Sequence, residues 1–179
     1  MIKGIITKPI VLIGMMGSGK STVGKKLARK LNLQFYDSDK VLEEREALNI
    51  IDIHEFMGAK YFQQIEEEVI KEIIDYGTII LSTGGSSFMN ENIRKFIKEK
   101  AVSIWLDVDF ETIYERVSRR NTRPELIAAE DKKELLIKMI EERTPIFSQA
   151  DITIESDLEA HHLVETIAQR LDQYFAQNS

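Results

Sequence analysis

A chain of 179 residues, 43% hydrophobic and 30% charged, suits one compact domain with a polar surface. Its net charge of −6 argues against a nucleic-acid groove, and the absence of cysteine excludes disulfides and thiolate metal centres. No run of about 18 apolar residues offers a membrane span, and residues 1–7 are too short for a signal peptide, so a cytoplasmic setting is expected.

The first predicted strand, Pro9 to Ile13, runs into Gly14-Met15-Met16-Gly17-Ser18-Gly19-Lys20-Ser21-Thr22. Gly14, Gly19, Lys20 and Ser21 satisfy the spacing of a phosphate-binding loop. Its glycines let successive backbone N–H groups curl around a polyphosphate, and the following helix adds its positive N-terminal end. Lys20 can reach the β- and γ-phosphates, and the Ser21 hydroxyl can ligate Mg²⁺. That helix runs to about Leu31, with Val23, Leu27 and Leu31 at helical spacing. A second strand, Leu33 to Tyr36, ends at Asp37-Ser38-Asp39. Helices follow over about 40–48 and 51–57, and after Gly58 a long one to about Asp75 has Phe62, Ile65, Val69 and Ile73 as its core stripe.

A third strand, Thr78 to Ser82, leads into Thr83-Gly84-Gly85-Ser86 and a helix over about 90–98. The fourth strand, Ala101 to Leu106, precedes a helix over 110–118. Residues 119–129 are polar, carry Pro124 and lack a clean period, which fits a mobile lid. A helix over about 130–149 contains Pro145, expected to kink or end it. A last strand at 151–154 and an amphipathic helix over 158–175 complete the chain. Short apolar strands alternating with helices imply a parallel sheet covered on both faces, with ligands beyond the C-terminal strand ends.

Among phosphate-loop proteins, the lack of Asn-Lys-x-Asp counts against a GTPase switch. The short chain without an Asp-Glu strand end counts against a motor module. Asp107, which closes an apolar strand, is left open between a metal-binding aspartate and a strand-ending cap. Asp37 and Asp39, two apart after a strand, can face one cleft. One carboxylate would organise the waters of Mg²⁺ while the other orients or deprotonates a substrate hydroxyl, as in a small-molecule kinase. The plainer alternative is an Asx turn and a helix N-cap.

Phe35-Tyr36-Asp37-Ser38-Asp39, Phe62-x-x-x-Glu66, Leu81-Ser82-x-Gly84-Gly85, Arg123-Pro124 and Arg143-x-Pro145, in this order and spacing, resemble the shikimate kinases over roughly Val11 to Ile154. The resemblance implies a three-layer α/β/α P-loop kinase fold, that of the nucleoside monophosphate kinases, with a five-stranded parallel sheet. It implies one domain over 1–179, with a helical substrate-binding region at about 38–75 and a lid at about 119–129. The implied reaction moves the ATP γ-phosphate to the 3-hydroxyl of shikimate with Mg²⁺. A monomer without nucleic-acid or membrane partners is expected.

By that resemblance, Gly14 to Thr22 hold the nucleotide phosphates, with Lys20 catalytic and Ser21 and Asp37 serving the metal. Asp39 binds the substrate hydroxyls and acts as base, Gly84 and Gly85 present backbone N–H groups, and Arg143 holds the substrate carboxylate. Arg116 stacks on adenine, and Arg123, on the lid, bridges the transferring phosphoryl group. Gln63 stands where the family usually carries an arginine for that carboxylate, and offers a neutral hydrogen bond instead. Lys60, three residues earlier on the same helix, is a candidate replacement cation, set against an ordinary solvated lysine. His54 is a candidate for the pocket wall. A kinase of another polyol acid such as gluconate, or a catalytically silent nucleotide-binding module, is the alternative. Glu66, Glu67 and Glu68 diverge around their helix and cannot share one ligand, although Glu66 matches a family position that supports the pocket. His161 and His162 read as surface residues, and Trp105 as strand packing.

Overall fold

Alternation along the first strand explains the whole architecture. In β1 (Ile10–Ile13), Val11 and Ile13 face one hydrophobic cluster while Ile10 and Leu12 face another, and all four are fully buried. A strand buried on both faces needs a helical layer on each side. The computed structural model describes residues 6–119, 126, 129–156 and 160–178. After β1 come α1 (Lys20–Leu31), β2 (Phe35–Asp37), α2 (Ser38–Glu46), α3 (Ile50–Met57) and α4 (Ala59–Asp75). Then follow β3 (Ile80–Ser82), α5 (Glu91–Lys100), β4 (Val102–Asp107), α6 (Phe110–Ser118), α7 (Lys132–Phe147), β5 (Ile152–Glu155) and α8 (Ala160–Gln177).

The five strands are all parallel, in the order β2-β3-β1-β4-β5. Residues of α1 and α8 cover one face through Val23, Leu27, Ile167 and Leu171. The helices between β2 and β5 cover the other, with Phe62, Ile65, Val69 and Ile73 of α4 in its core as their spacing requires. This is the three-layer α/β/α arrangement the sequence implies. Because β1 is central and its neighbours β3 and β4 come later in the chain, the order reverses beside it. The loop after β1 therefore opens into the crevice where such sheets bind ligands. Among the described residues no helix is long and apolar enough to cross a membrane.

Several boundaries differ from the sequence expectation for identifiable reasons. The second strand is Phe35–Asp37, and α2 begins at Ser38 rather than near Lys40, because Asp37 itself caps the helix. That helix stops at Glu46, where Ala47 turns left-handed, so Leu48 lies beyond it. A short 3-10 turn, Ser87–Met89, precedes α5. Pro145 does not end α7. It sits in the last turn, and the helix runs on to Phe147. Of the expected lid, residues 120–125 and 127–128, including Arg123, lie outside the described residues.

Candidate active site

The loop between β1 and α1 is built on three left-handed or open glycines, Gly14, Gly17 and Gly19, with φ of 142°, 77° and 89°. At Gly14 an added Cβ would lie 2.8 Å from the Leu106 carbonyl oxygen, so the residue also meets a steric demand from β4. Gly19 caps α1 without a side-chain bond, which leaves the helix's first N–H groups directed at the cleft. The Lys20 ammonium lies beneath the loop. It donates to the carbonyls of Gly14 at 2.9 Å and Met15 at 2.8 Å, and to Ser18 Oγ at 3.4 Å. These contacts hold a nearly buried cation at the base of a phosphate nest.

Ser21, in the first turn of α1, donates from Oγ to Asp37 Oδ2 at 2.5 Å. The other carboxylate oxygen of Asp37 accepts the backbone N–H groups of Asp39 at 3.1 Å and Lys40 at 3.3 Å. Asp37 thus caps α2 through one oxygen and receives the Ser21 hydroxyl through the other. Ser82 Oγ, at the end of β3, lies 3.2 Å from Ser21 Oγ. Ser21 and Asp37, but not the buried Ser82, line a cavity of about 380 Å³ together with the loop, Asp39, Thr83 and Arg116. Arg116 reaches across from α6, its guanidinium donating to the Gly17 carbonyl at 3.0 Å, so it overlies the loop.

The Gly84–Gly85 turn joins this cavity to a second group of residues. A Cβ on Gly85 would stand 2.8 Å from the Met16 backbone nitrogen, so the turn rests directly on the phosphate loop. A Cβ on Gly84 would stand 3.0 Å from Asp39 Oδ1 and 3.1 Å from Glu66 Oε1. Glu66 is buried and accepts the Ser87 hydroxyl at 2.6 Å. Arg143, on α7, donates to the Gly85 carbonyl at 3.0 Å. Asp39, the two glycines, Glu66 and Arg143 thus converge on one side of the loop.

Two candidates stand apart. Gln63 and Lys60 are exposed and share a groove with Glu67, Lys71 and Asn92, none of which lines the phosphate cavity. At about 100° per residue, Lys60 lies roughly 140° around α4 from the face shared by Phe62 and Glu66, and Gln63 roughly 80°. Gln63 is the border residue, and Lys60 keeps a solvated position. The His54 ring lies against Phe62, tilted by 31° with ring centroids 4.1 Å apart, which puts it on the Glu66 face of α4.

Asp107 does not line the cavity. It pairs in register with Glu155 of β5, and burial together with that neighbouring carboxylate raises its pKa above the ordinary value. Trp105 packs against Phe147, while His161 and His162 are exposed, as expected. Thr83, Val117, Leu126, Ser156 and Leu163 line the cavity without having been singled out in the sequence. Ser82 was also missed as a site residue. Its signals were its place in the Leu81-Ser82-x-Gly84-Gly85 motif and a hydroxyl ending an otherwise apolar strand.

A family model described as shikimate kinase matches residues 16–172. Shikimate kinase of Rhodopseudomonas palustris is 43% identical over 168 residues, covering 93% of this chain and 82% of that protein. The structure of Acinetobacter baumannii shikimate kinase in complex with shikimate superposes with a TM-score of 0.86 at 31% identity, over 96% of this chain and 94% of the other. A gluconokinase from Sinorhizobium meliloti gives a TM-score of 0.61 at 16% identity over 95% and 94% of the two chains, a likeness of fold alone.

Proposed function

The chain belongs to the shikimate kinase family, and from that premise we propose how its own residues carry ATP-dependent phosphoryl transfer to the 3-hydroxyl of shikimate. The observation that carries the assignment of roles is the seating of the Gly84–Gly85 turn on the phosphate loop, with Asp39 against Gly84 and Arg143 on Gly85. This junction lets a nucleotide and an acceptor meet within one chain.

In the proposed reaction the loop N–H groups and Lys20 hold the β- and γ-phosphates. The ammonium exchanges loop carbonyls for phosphate oxygens as charge develops on them. Asp39 orients the acceptor hydroxyl and takes its proton as the new P–O bond forms and the bond to the ADP oxygen breaks. Arg143 answers the acceptor carboxylate with a guanidinium fork, and His54 with Phe62 forms a flat wall of the acceptor pocket. Arg116 lies over the nucleotide, and Arg123 of the lid is assigned to the transferring group.

Ser21 and Asp37 would hold Mg²⁺, which supplies charge neutralisation to the β- and γ-oxygens. Their donor atoms fit a hard cation. Among the described residues no group of three or more His, Asp or Glu gathers into a metal cage, which suits an ion that keeps waters and phosphate oxygens and takes one or two protein ligands. The reading extends to a monomer in the cytoplasm, since one chain supplies both halves of the site and ATP is available there. The test is ADP release measured with shikimate, gluconate and nucleoside monophosphates. Shikimate should give the highest kcat/KM, and turnover of gluconate without turnover of shikimate would overturn the acceptor assignment.

A further inference from the structure

Ser82 sits where an apolar residue would be expected. Ile80, two residues earlier on the same face of β3, belongs to the cluster formed with α1, and Ser82 is fully buried under the first turn of that helix. Its neighbour Thr83 gives its hydroxyl to the Leu12 carbonyl at 3.0 Å. Ser82 has no such backbone partner. Among the described residues its hydroxyl meets Ser21 Oγ alone, at 3.2 Å.

The direction of this contact follows from counting protons and lone pairs. A serine hydroxyl has one proton and two lone pairs, and a carboxylate only accepts. Asp37 Oδ2 takes the Ser21 proton, so Ser21 must accept from Ser82. The chain runs Ser82 O–H to Ser21, then Ser21 O–H to Asp37. One Ser21 lone pair is then occupied from below, and the other is left toward the cavity.

We propose that Ser82 is a positioning residue that fixes the Ser21 hydroxyl so that its remaining lone pair meets the divalent cation of the nucleotide complex. This rests on the assignment of Ser21 to the metal. Without Ser82 the Ser21 hydroxyl is held at one point, by Asp37, and its free lone pairs turn about that bond. Metal-free nucleotide does not use the lone pair, so its binding is indifferent to the change.

The experiment is calorimetric titration of ADP with and without Mg²⁺, which needs no turnover. The quantity read is the gain in affinity that Mg²⁺ confers. Ser82→Ala should reduce that gain about three- to tenfold, as for loss of one neutral hydrogen bond, and leave metal-free ADP affinity unchanged. Ser82→Cys, a close steric match with a weak donor, should show the same loss and serves if the alanine variant is unstable. Ser82→Thr, which keeps the hydroxyl, should restore the gain. An equal loss with and without Mg²⁺ would make the residue merely structural and overturn the proposal. Ser21→Ala separates the premise from the inference. If it leaves the gain intact, the metal assignment itself is wrong. If it removes the gain while Ser82→Ala does not reduce it, only the role of Ser82 is lost.

Discussion

At the scale of single residues, the site depends on where a few charges are held. Lys20 is stored against its own loop, at 2.8–2.9 Å from two carbonyl oxygens. In the proposed reaction its charge acts on phosphate oxygens mainly in the transition state, so Lys20→Ala should lower kcat by far more than tenfold, a loss above about 1.4 kcal/mol. Steady-state kinetics retaining a tenth of the parent kcat would remove Lys20 from the mechanism. Charge placement also separates Gln63 from Lys60. With the acceptor carboxylate proposed on the Phe62–Glu66 face, an arginine at position 63 starts about 80° around α4 from it, whereas Lys60 starts about 140° away. Gln63→Arg should therefore lower the shikimate KM, by up to about tenfold for a charge-assisted bond of roughly 1.5 kcal/mol. Lys60→Ala should leave it unchanged. A raised acceptor KM in Lys60→Ala would show that the lysine bends into the pocket after all.

At the scale of elements, strand ends carry the chemistry, and one of them carries a strain in charge. Asp107 and Glu155 close β4 and β5 side by side. Burial first, and the Glu155 charge second, raise the Asp107 pKa. A carboxyl whose folded pKa exceeds its unfolded value binds its proton more tightly when folded. Its contribution to stability is then lost as pH rises from the unfolded to the raised folded value. Asp107→Asn should accordingly raise the melting temperature at pH 7, and the difference should shrink as pH falls toward 4. A constant difference across that range would assign the effect to packing instead. The elements themselves were largely legible, because strands buried on both faces and the α4 stripe leave strong periodic signals. The start of α2 was misplaced because Asp37, Ser38 and Asp39 all suit an N-cap, and only the geometry selects Asp37. The 3-10 turn at Ser87–Met89 has no period to read. In the candidate site, the phosphate loop, Asp37, Asp39, Gly84, Gly85 and Arg143 were singled out from short motifs, and Arg116 from its spacing to Arg123. Ser82, although it stands in a motif, was given no role, and the Glu66–Ser87 bond was not foreseen, because a buried hydroxyl becomes meaningful only when another element supplies its partner.

For the molecule as a whole, the two halves of the site are joined backbone to backbone. Gly85 contributes no side chain, yet its place against Met16 sets how closely the Gly84–Gly85 turn, proposed to hold the acceptor, approaches the phosphate loop. A methyl group there would lie 2.8 Å from a main-chain nitrogen, so either the turn or the loop must shift. Arg143, bonded to the Gly85 carbonyl, would move with the turn. Since misplacing reacting groups by about 1 Å can cost a hundredfold in rate, Gly85→Ala should lower kcat at least tenfold. It should also raise the KM of both ATP and shikimate. The control is Gly77, which follows α4 with φ of 102° and has no atom within 4 Å of an added Cβ. Gly77→Ala strains only its own backbone, so it should cost about 1 kcal/mol of stability and leave both KM values alone. If Gly85→Ala behaves like Gly77→Ala, losing stability but keeping its kinetics, then the contact between turn and loop does not couple the two substrates.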